Sequence, residues 1–183
     1  MTVGKHVRGL ALIVVMLVRP ATPAERAACK AKWYSALGVE VLLRPEQAWT
    51  VKDAVRCLKV FKSGKILAIT PDLLADPGQG VEVTIFRRRA RLYSGAFALG
   101  ITAGVPMIRL SFIWHSRHSV TARFERTPEL AIDHANRDAA VQAYAQDWCS
   151  WFEGKLKEHP ENWLFWLDKR WSRLLLTTAP GGV

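Results

Sequence analysis

The chain has 183 residues, of which 50% are apolar and 23% charged. That composition excludes disorder, collagen-like repeats and fibrous chains, and the length allows a buried core without disulfide or metal staples. Lysine and arginine number 26 against 16 acids, giving a formal net charge of +10 that points to an anionic partner: nucleic acid, an anionic membrane surface or an acidic protein.

The first expected element is a buried strand over residues 10–18, rich in β-branched residues and stopped by Pro20. Lys5, His6 and Arg8 before this run give it the outline of a signal peptide, but Arg19 beside two prolines makes a poor cleavage site. The run is about half the length a membrane-spanning helix needs. A helix over 23–37 follows, with Pro23 near its first turn and Gly38 past its end. Residues 39–43 read as a short strand. Thr50 can cap a helix to about Lys62, with Val51, Val55, Leu58, Val60 and Phe61 on its apolar side. Residues 65–70 form a third strand closed by Pro71, and 72–80 form an Asp/Pro/Gly loop.

Val81, Val83 and Ile85 alternate with polar residues as a half-buried strand does. Ser94 opens an apolar helix with small residues. Strands over 106–114 and 119–125 can make an antiparallel hairpin, with Val120, Ala122 and Phe124 on one face. Asn136 can cap a long helix to about Lys157, with Val141, Tyr144, Trp148, Trp151 and Phe152 as its buried stripe. His159-Pro160 breaks it, and a short aromatic helix over 161–170 follows. The alternation of strand and helix predicts an α/β fold: a mainly parallel central sheet flanked by helices, with one antiparallel hairpin and C-terminal aromatic helices. A single domain over 1–176 with a frayed tail over 177–183 is the economical organisation.

Three groups of residues could carry chemistry. Ligands of open α/β sheets bind beyond the carboxyl ends of the strands, which singles out Arg19 and Asp72 on the same sheet edge; a turn role for Asp72 is the alternative. From Val83 to Phe124 there is no acid, and seven arginines fall there, among them Arg87, Arg88, Arg89 and Arg91. Guanidinium forks suit phosphate oxygens, so this is either an anion-binding surface or a solvated basic face. Five of the eight tryptophans lie in the last 36 residues. Trp163, Trp166 and Arg170 at helical spacing read as core or as a membrane-interface belt. The cysteines are three, scattered, and form no metal-ligand spacing. No metal or cofactor is expected. No dinucleotide, phosphate-loop, hydrolase-elbow or zinc-protease motif occurs. No nucleic-acid-binding signature occurs either, so a specific nucleic acid is not expected.

Taken in series, Val18-Arg19-Pro20, Gly64-Lys-Ile-Leu-Ala-Ile-Thr-Pro71-Asp72, Val81-Glu-Val-Thr-Ile-Phe86, the small-residue block from Gly95 to Pro106 and Pro160-Glu-Asn-Trp-Leu-Phe-Trp-Leu-Asp-Lys-Arg-Trp171 resemble the bacterial lipid A biosynthesis (lauroyl/myristoyl) acyltransferase family of the lysophospholipid acyltransferase superfamily. The closing block is the most specific. The resemblance implies transfer of an acyl chain from acyl carrier protein or coenzyme A to a hydroxyl of a membrane phospholipid or glycolipid, at the cytoplasmic face of the inner membrane. It places Arg19 and Asp72 in the active-site region. It makes the arginines a surface for anionic lipid and acidic carrier protein, and lets the helix opening at Gly95 flank an acyl groove. The departures are equally specific. The family's His-x-x-x-x-Asp/Glu, whose histidine is the general base, has no match: His6, the histidine nearest Arg19, has Ala11 at the required offset. The chain therefore resembles the C-terminal three-fifths of the family's domain, with the catalytic motif expected before Met1. The family's aromatic-Phe-Gly is Ile85-Phe86-Arg87 here, and its His-Arg-Arg is Asp168-Lys169-Arg170. A non-catalytic protein that binds acyl lipid or membrane is the competing expectation.

Overall fold

The computed structural model describes residues 14–18, 24–43, 50–130 and 136–176. They fall into two compact units, divided after Thr70.

The first unit holds β1 (Val14–Val18), α1 (Ala24–Ala36), β2 (Glu40–Leu43), α2 (Val51–Lys62) and β3 (Ile66–Ala68). The strands form a parallel sheet in the order β2-β1-β3, with Val15 facing Glu40 on one side and Leu67 on the other. α1 is the crossover of the β1–β2 pair, and α2 carries the chain from β2 past β1 to β3. Thr50 caps α2 in a full capping box: its side chain accepts from the Asp53 amide, and the Asp53 carboxylate accepts from the Thr50 amide at 3.1 Å. The expected apolar side of α2 needs correction. Val51 and Val55 are exposed, and Cys57 and Val60 are the buried residues, so the face turned inward is displaced from the one the valines suggested.

The second unit holds β4 (Val81–Ile85), β5 (Arg88–Leu92), α3 (Gly95–Ala103), β6 (Ile108–Ser116), β7 (Ser119–Arg126), α4 (Arg137–Glu158) and α5 (Lys169–Leu176). Two turns of 3-10 helix, Pro160–Asn162 and Leu164–Leu167, link α4 to α5. β4–β5 and β6–β7 are separate antiparallel hairpins. The fold is thus mixed α/β, but the expected mainly parallel central sheet is corrected: among the described residues only β1, β2 and β3 are parallel. The cause is local. Two-residue turns join each of the other strand pairs, and so short a link can only reverse the chain.

Two expectations shift with it. β5 lies inside the arginine run, where Ala90 and Leu92 are buried and Arg89 and Arg91 point out. The last helix begins at Lys169 rather than Glu161, because the Asp168 carboxylate accepts from the Arg170 and Trp171 amides at 2.9 and 3.3 Å and so caps the first turn.

The core of this unit lies between α4 and the first hairpin. Val83, Ile85, Ala90 and Leu92 meet Val141, Tyr144, Ala145 and Cys149, and Trp163 and Trp171 close one end. Burial pushes the Cys149 thiol up to about 12, which keeps it a neutral apolar filler. α4 also closes the outer edge of β4. The Gln146 amide accepts from the Thr84 N–H at 2.7 Å and donates to its carbonyl at 2.9 Å, and Gln142 donates to the Glu82 carbonyl. Four helical residues rise about 6 Å, close to the span of two strand residues, so one helix face can follow a strand edge. The tight turn Phe86-Arg87 has φ of 49° and 60°. Both values belong to the left-handed region that two-residue hairpins demand and side chains resist. Arg87 stands where the resembled pattern has glycine, and the turn conformation is the physical reason for a glycine there. Glu153 of α4 supports the turn by accepting the Phe86 N–H at 2.7 Å.

Candidate functional site

Asp72 is the most constrained acid of the second unit. One carboxylate oxygen accepts from the Trp163 indole N–H at 3.1 Å, and its backbone carbonyl accepts from the Trp171 indole at 3.0 Å. The other carboxylate oxygen, Oδ1, is buried and meets no donor among the described residues. Burial raises the Asp72 pKa, and the Trp163 bond only partly offsets it. Such a carboxyl can hold a proton or accept a further hydrogen bond.

The closing block thus folds back onto the Pro71-Asp72 segment. Trp163 stands edge-on to both Trp166 and Trp171, with ring centroids 4.7 and 4.9 Å apart. Phe152 meets Trp163 at 5.3 Å and stacks on Trp148 at 4.7 Å. The aromatics therefore continue as one row from α4 to the Asp72 carboxyl. Trp163 is buried within that row, while Trp166 is partly exposed and donates to the Pro160 carbonyl.

Arg170 donates to the Leu74 carbonyl at 3.2 Å, two residues beyond Asp72. From there an open groove of about 470 Å³ runs along β5. Leu74, Pro77, Ala90 and Leu174 supply its apolar lining, and Arg89, Arg91, Arg170 and Arg173 supply four guanidinium groups, with Glu82 the acid present. Arg91 is fixed by the Gln79 and Gly80 carbonyls, each at 2.8 Å. Arg89 is exposed, with Glu82 at 3.9 Å. Gly80 lets this arrangement form: at its φ of 69° a Cβ would stand 2.1 Å from the Leu92 carbonyl oxygen.

The structure therefore brings Asp72 together with Trp163 and, through it, Trp166, and brings Arg89, Arg91 and Arg170 together along the groove, which reaches Leu74, two residues beyond Asp72. Arg87 and Arg88, at the hairpin turn, are not part of the groove lining. Gly95 opens α3, and a Cβ there would meet nothing within 4 Å, so no close approach explains it. Arg19 lies outside the described residues. Sequence reasoning missed Arg173. Its signal was weak but present, one helical turn after Arg170. Of the described histidines, His115 contacts Thr121 and His159 contacts Glu161, and none hydrogen-bonds to Asp72. Among the described residues no group of His, Cys, Asp and Glu is placed to hold a metal ion, and no helix is long and apolar enough to cross a membrane.

The profile of the bacterial lipid A biosynthesis acyltransferase family matches residues 36–173, which include Asp72, the groove residues other than Leu174 and the closing block. The chain belongs to that family. The match begins after Arg19. No curated protein matches the chain.

Proposed function

We propose that this chain serves the transfer of a fatty acyl chain from acyl carrier protein or acyl-CoA to a hydroxyl of a phosphorylated, lipid A-type membrane lipid, at the cytoplasmic face of the inner membrane. Its part is to hold the acceptor. The observation that carries this reading is the groove, where four arginines border an apolar lining that includes Leu74, two residues beyond Asp72. An amphiphile with phosphate on its headgroup needs both chemistries side by side. Net charge of +10 draws the acidic carrier protein and the anionic lipid alike.

In the reaction the acceptor hydroxyl oxygen attacks the thioester carbonyl carbon. The new ester C–O bond forms, the C–S bond breaks, and the hydroxyl proton passes through a base to the departing thiolate. Asp72, with a raised pKa and an unmet oxygen, and Arg19 are the residues assigned to the active-site region. The family's histidine base has no counterpart in this sequence. That observation favours a second reading, in which the chain binds acyl lipid without transferring it.

One assay separates the two. The purified chain is given under-acylated lipid A with acyl carrier protein or coenzyme A thioesters, and lipid binding and acylated product are both followed. Because the His-x-x-x-x-Asp/Glu base has no match in this sequence, the first reading expects binding that is lost in Arg89→Glu/Arg173→Glu and product only when a segment carrying that motif is joined in front of the chain. Binding lost in the same variant, with no product from either donor even from the joined protein, establishes the second. Neither binding nor transfer overturns both.

A further inference from the structure

A hairpin packed on a helix turns its apolar face inward and its polar face to water. β6–β7 does the opposite. Its inward face carries Arg109, 8% exposed, which pairs with Asp147 of α4 and lies 5.6 Å from the Trp151 ring centroid. Glu125 on the same face accepts from the Trp151 indole at 3.2 Å and has Lys155 at 3.6 Å. Its outward face carries Ile108, Leu110, Phe112, Trp114 and Phe124, all exposed, with Phe124 at 69% and Ile108 at 61%. Leu110 is directly opposite Phe124, Phe112 opposite Ala122 and Trp114 opposite Val120, so these side chains form one continuous apolar patch.

The orientation is built in rather than incidental. Slipping a strand by one residue would turn the apolar set inward, but the ion pair to Asp147 and the Glu125 bonds to Trp151 and Lys155 fix the present register. A patch held open in this way calls for a partner. The surrounding charge selects it. No acid occurs from Ile108 through Phe124. Arg117 and His118 stand exposed at the turn, and Arg126, directly opposite Ile108, on the apolar face; Arg123, opposite Ser111, belongs to the other face. Aromatic side chains with cations at both ends of the face match the boundary between acyl chains and anionic headgroups.

We propose that the β6–β7 hairpin is a docking element that lays its apolar face into the surface of an anionic bilayer, with Trp114 and Phe112 at the acyl boundary and Arg117 and Arg126 at the phosphates. The inference goes beyond acyl transfer and stands on the hairpin alone. The test is flotation of the full chain with phosphatidylcholine vesicles, with and without phosphatidylglycerol, at physiological salt. These vesicles contain neither acceptor nor acyl donor, so the outcome is independent of the proposed reaction. The wild-type chain should float with the anionic vesicles. Phe112→Ser/Trp114→Ser should lower its partitioning at least tenfold with an unchanged melting temperature, and Arg117→Glu/Arg126→Glu should abolish the preference for anionic over neutral vesicles. Trp114→Phe should retain flotation but lose part of the quenching of tryptophan fluorescence by brominated acyl chains. Failure of the wild type to float overturns the proposal. So does undiminished flotation of the Phe112→Ser/Trp114→Ser variant, including the case where that variant instead dissolves a dimer and shows that a second copy covers the face.

Discussion

The two hairpins of the second unit contact one helix and meet it with opposite faces. β4–β5 buries Val83, Ile85, Ala90 and Leu92 against Val141, Tyr144, Ala145 and Cys149. β6–β7 turns Arg109 and Glu125 to Asp147, Trp151 and Lys155, and leaves Phe112 and Trp114 outside. Strand alternation assigns residues to faces; what the neighbouring helix offers decides which face goes in. α4 has an apolar side for the first hairpin and a charged and indole-bearing side for the second. It therefore uses one hairpin to build a core and holds the other as a presented surface.

The sharpest way to break this comparison is to truncate equivalent residues. Ile85 is 0% exposed and Phe112 is 48% exposed. Ile85→Ala should cost about 3 kcal/mol, the transfer and cavity terms of a filled core site. Phe112→Ala, although it deletes a larger side chain, should change stability by no more than about 0.5 kcal/mol. Urea denaturation of both variants measures the difference. Equal costs would mean that the outer face is covered in the isolated chain.

The same contrast explains what was legible in the sequence. The β6–β7 hairpin and the Val120–Phe124 face could be read from alternation, because pairing is a local property of a short connection. That Arg109 is buried could not, since its partner Asp147 is 38 residues away. β5 was hidden for a related reason. The arginines drew attention as charge, while the Ala90 and Leu92 alternation inside them is only two residues long. Thr50 and Asn136 were readable as caps because capping is settled within three residues. At the site, Asp72 and the closing tryptophans were each visible by type, but the indole bonds that join them span 91 and 99 residues. The strand-end argument rests on a pair of strands, β1 and β3, that are indeed parallel; Arg19 itself lies outside the described residues.

A second, smaller effect concerns what pins the exposed face outward. Asp147→Ala leaves the Arg109 guanidinium without its ion-pair partner. Removing one partner of a buried pair costs about 3–5 kcal/mol, and because the Asp147 side chain is 26% exposed the expected loss is about 2 kcal/mol. Arg109→Met/Asp147→Leu should recover most of it, since the desolvation of both charges then disappears. If the double variant also stops floating with anionic vesicles, the ion pair sets the register as well as the stability.

The smallest effects lie at the turn of the first hairpin, where backbone strain and a carboxylate can be separated by pH. Arg87 has φ of 60°, so Arg87→Gly should stabilise by about 1 kcal/mol through relief of the left-handed conformation. Arg87 also lowers the Glu153 pKa, as the least of the influences on it, so the gain should change only slightly across the acid range. Glu153 behaves differently. Its hydrogen bond with Lys157, then that with the Phe86 N–H, hold its pKa below the ordinary value of 4.5. The folded chain therefore favours the carboxylate, and the unfolded chain binds the proton first as pH falls. The stability Glu153 contributes is complete above the unfolded value and is lost as pH drops through the folded one. Glu153→Gln should accordingly be less stable than wild type at neutral pH, with the difference shrinking below about pH 4. Paired urea titrations of the two variants at pH 7 and in acid resolve this. A Glu153→Gln deficit that persists unchanged in acid would assign the support of the turn to shape rather than to the carboxylate's charge.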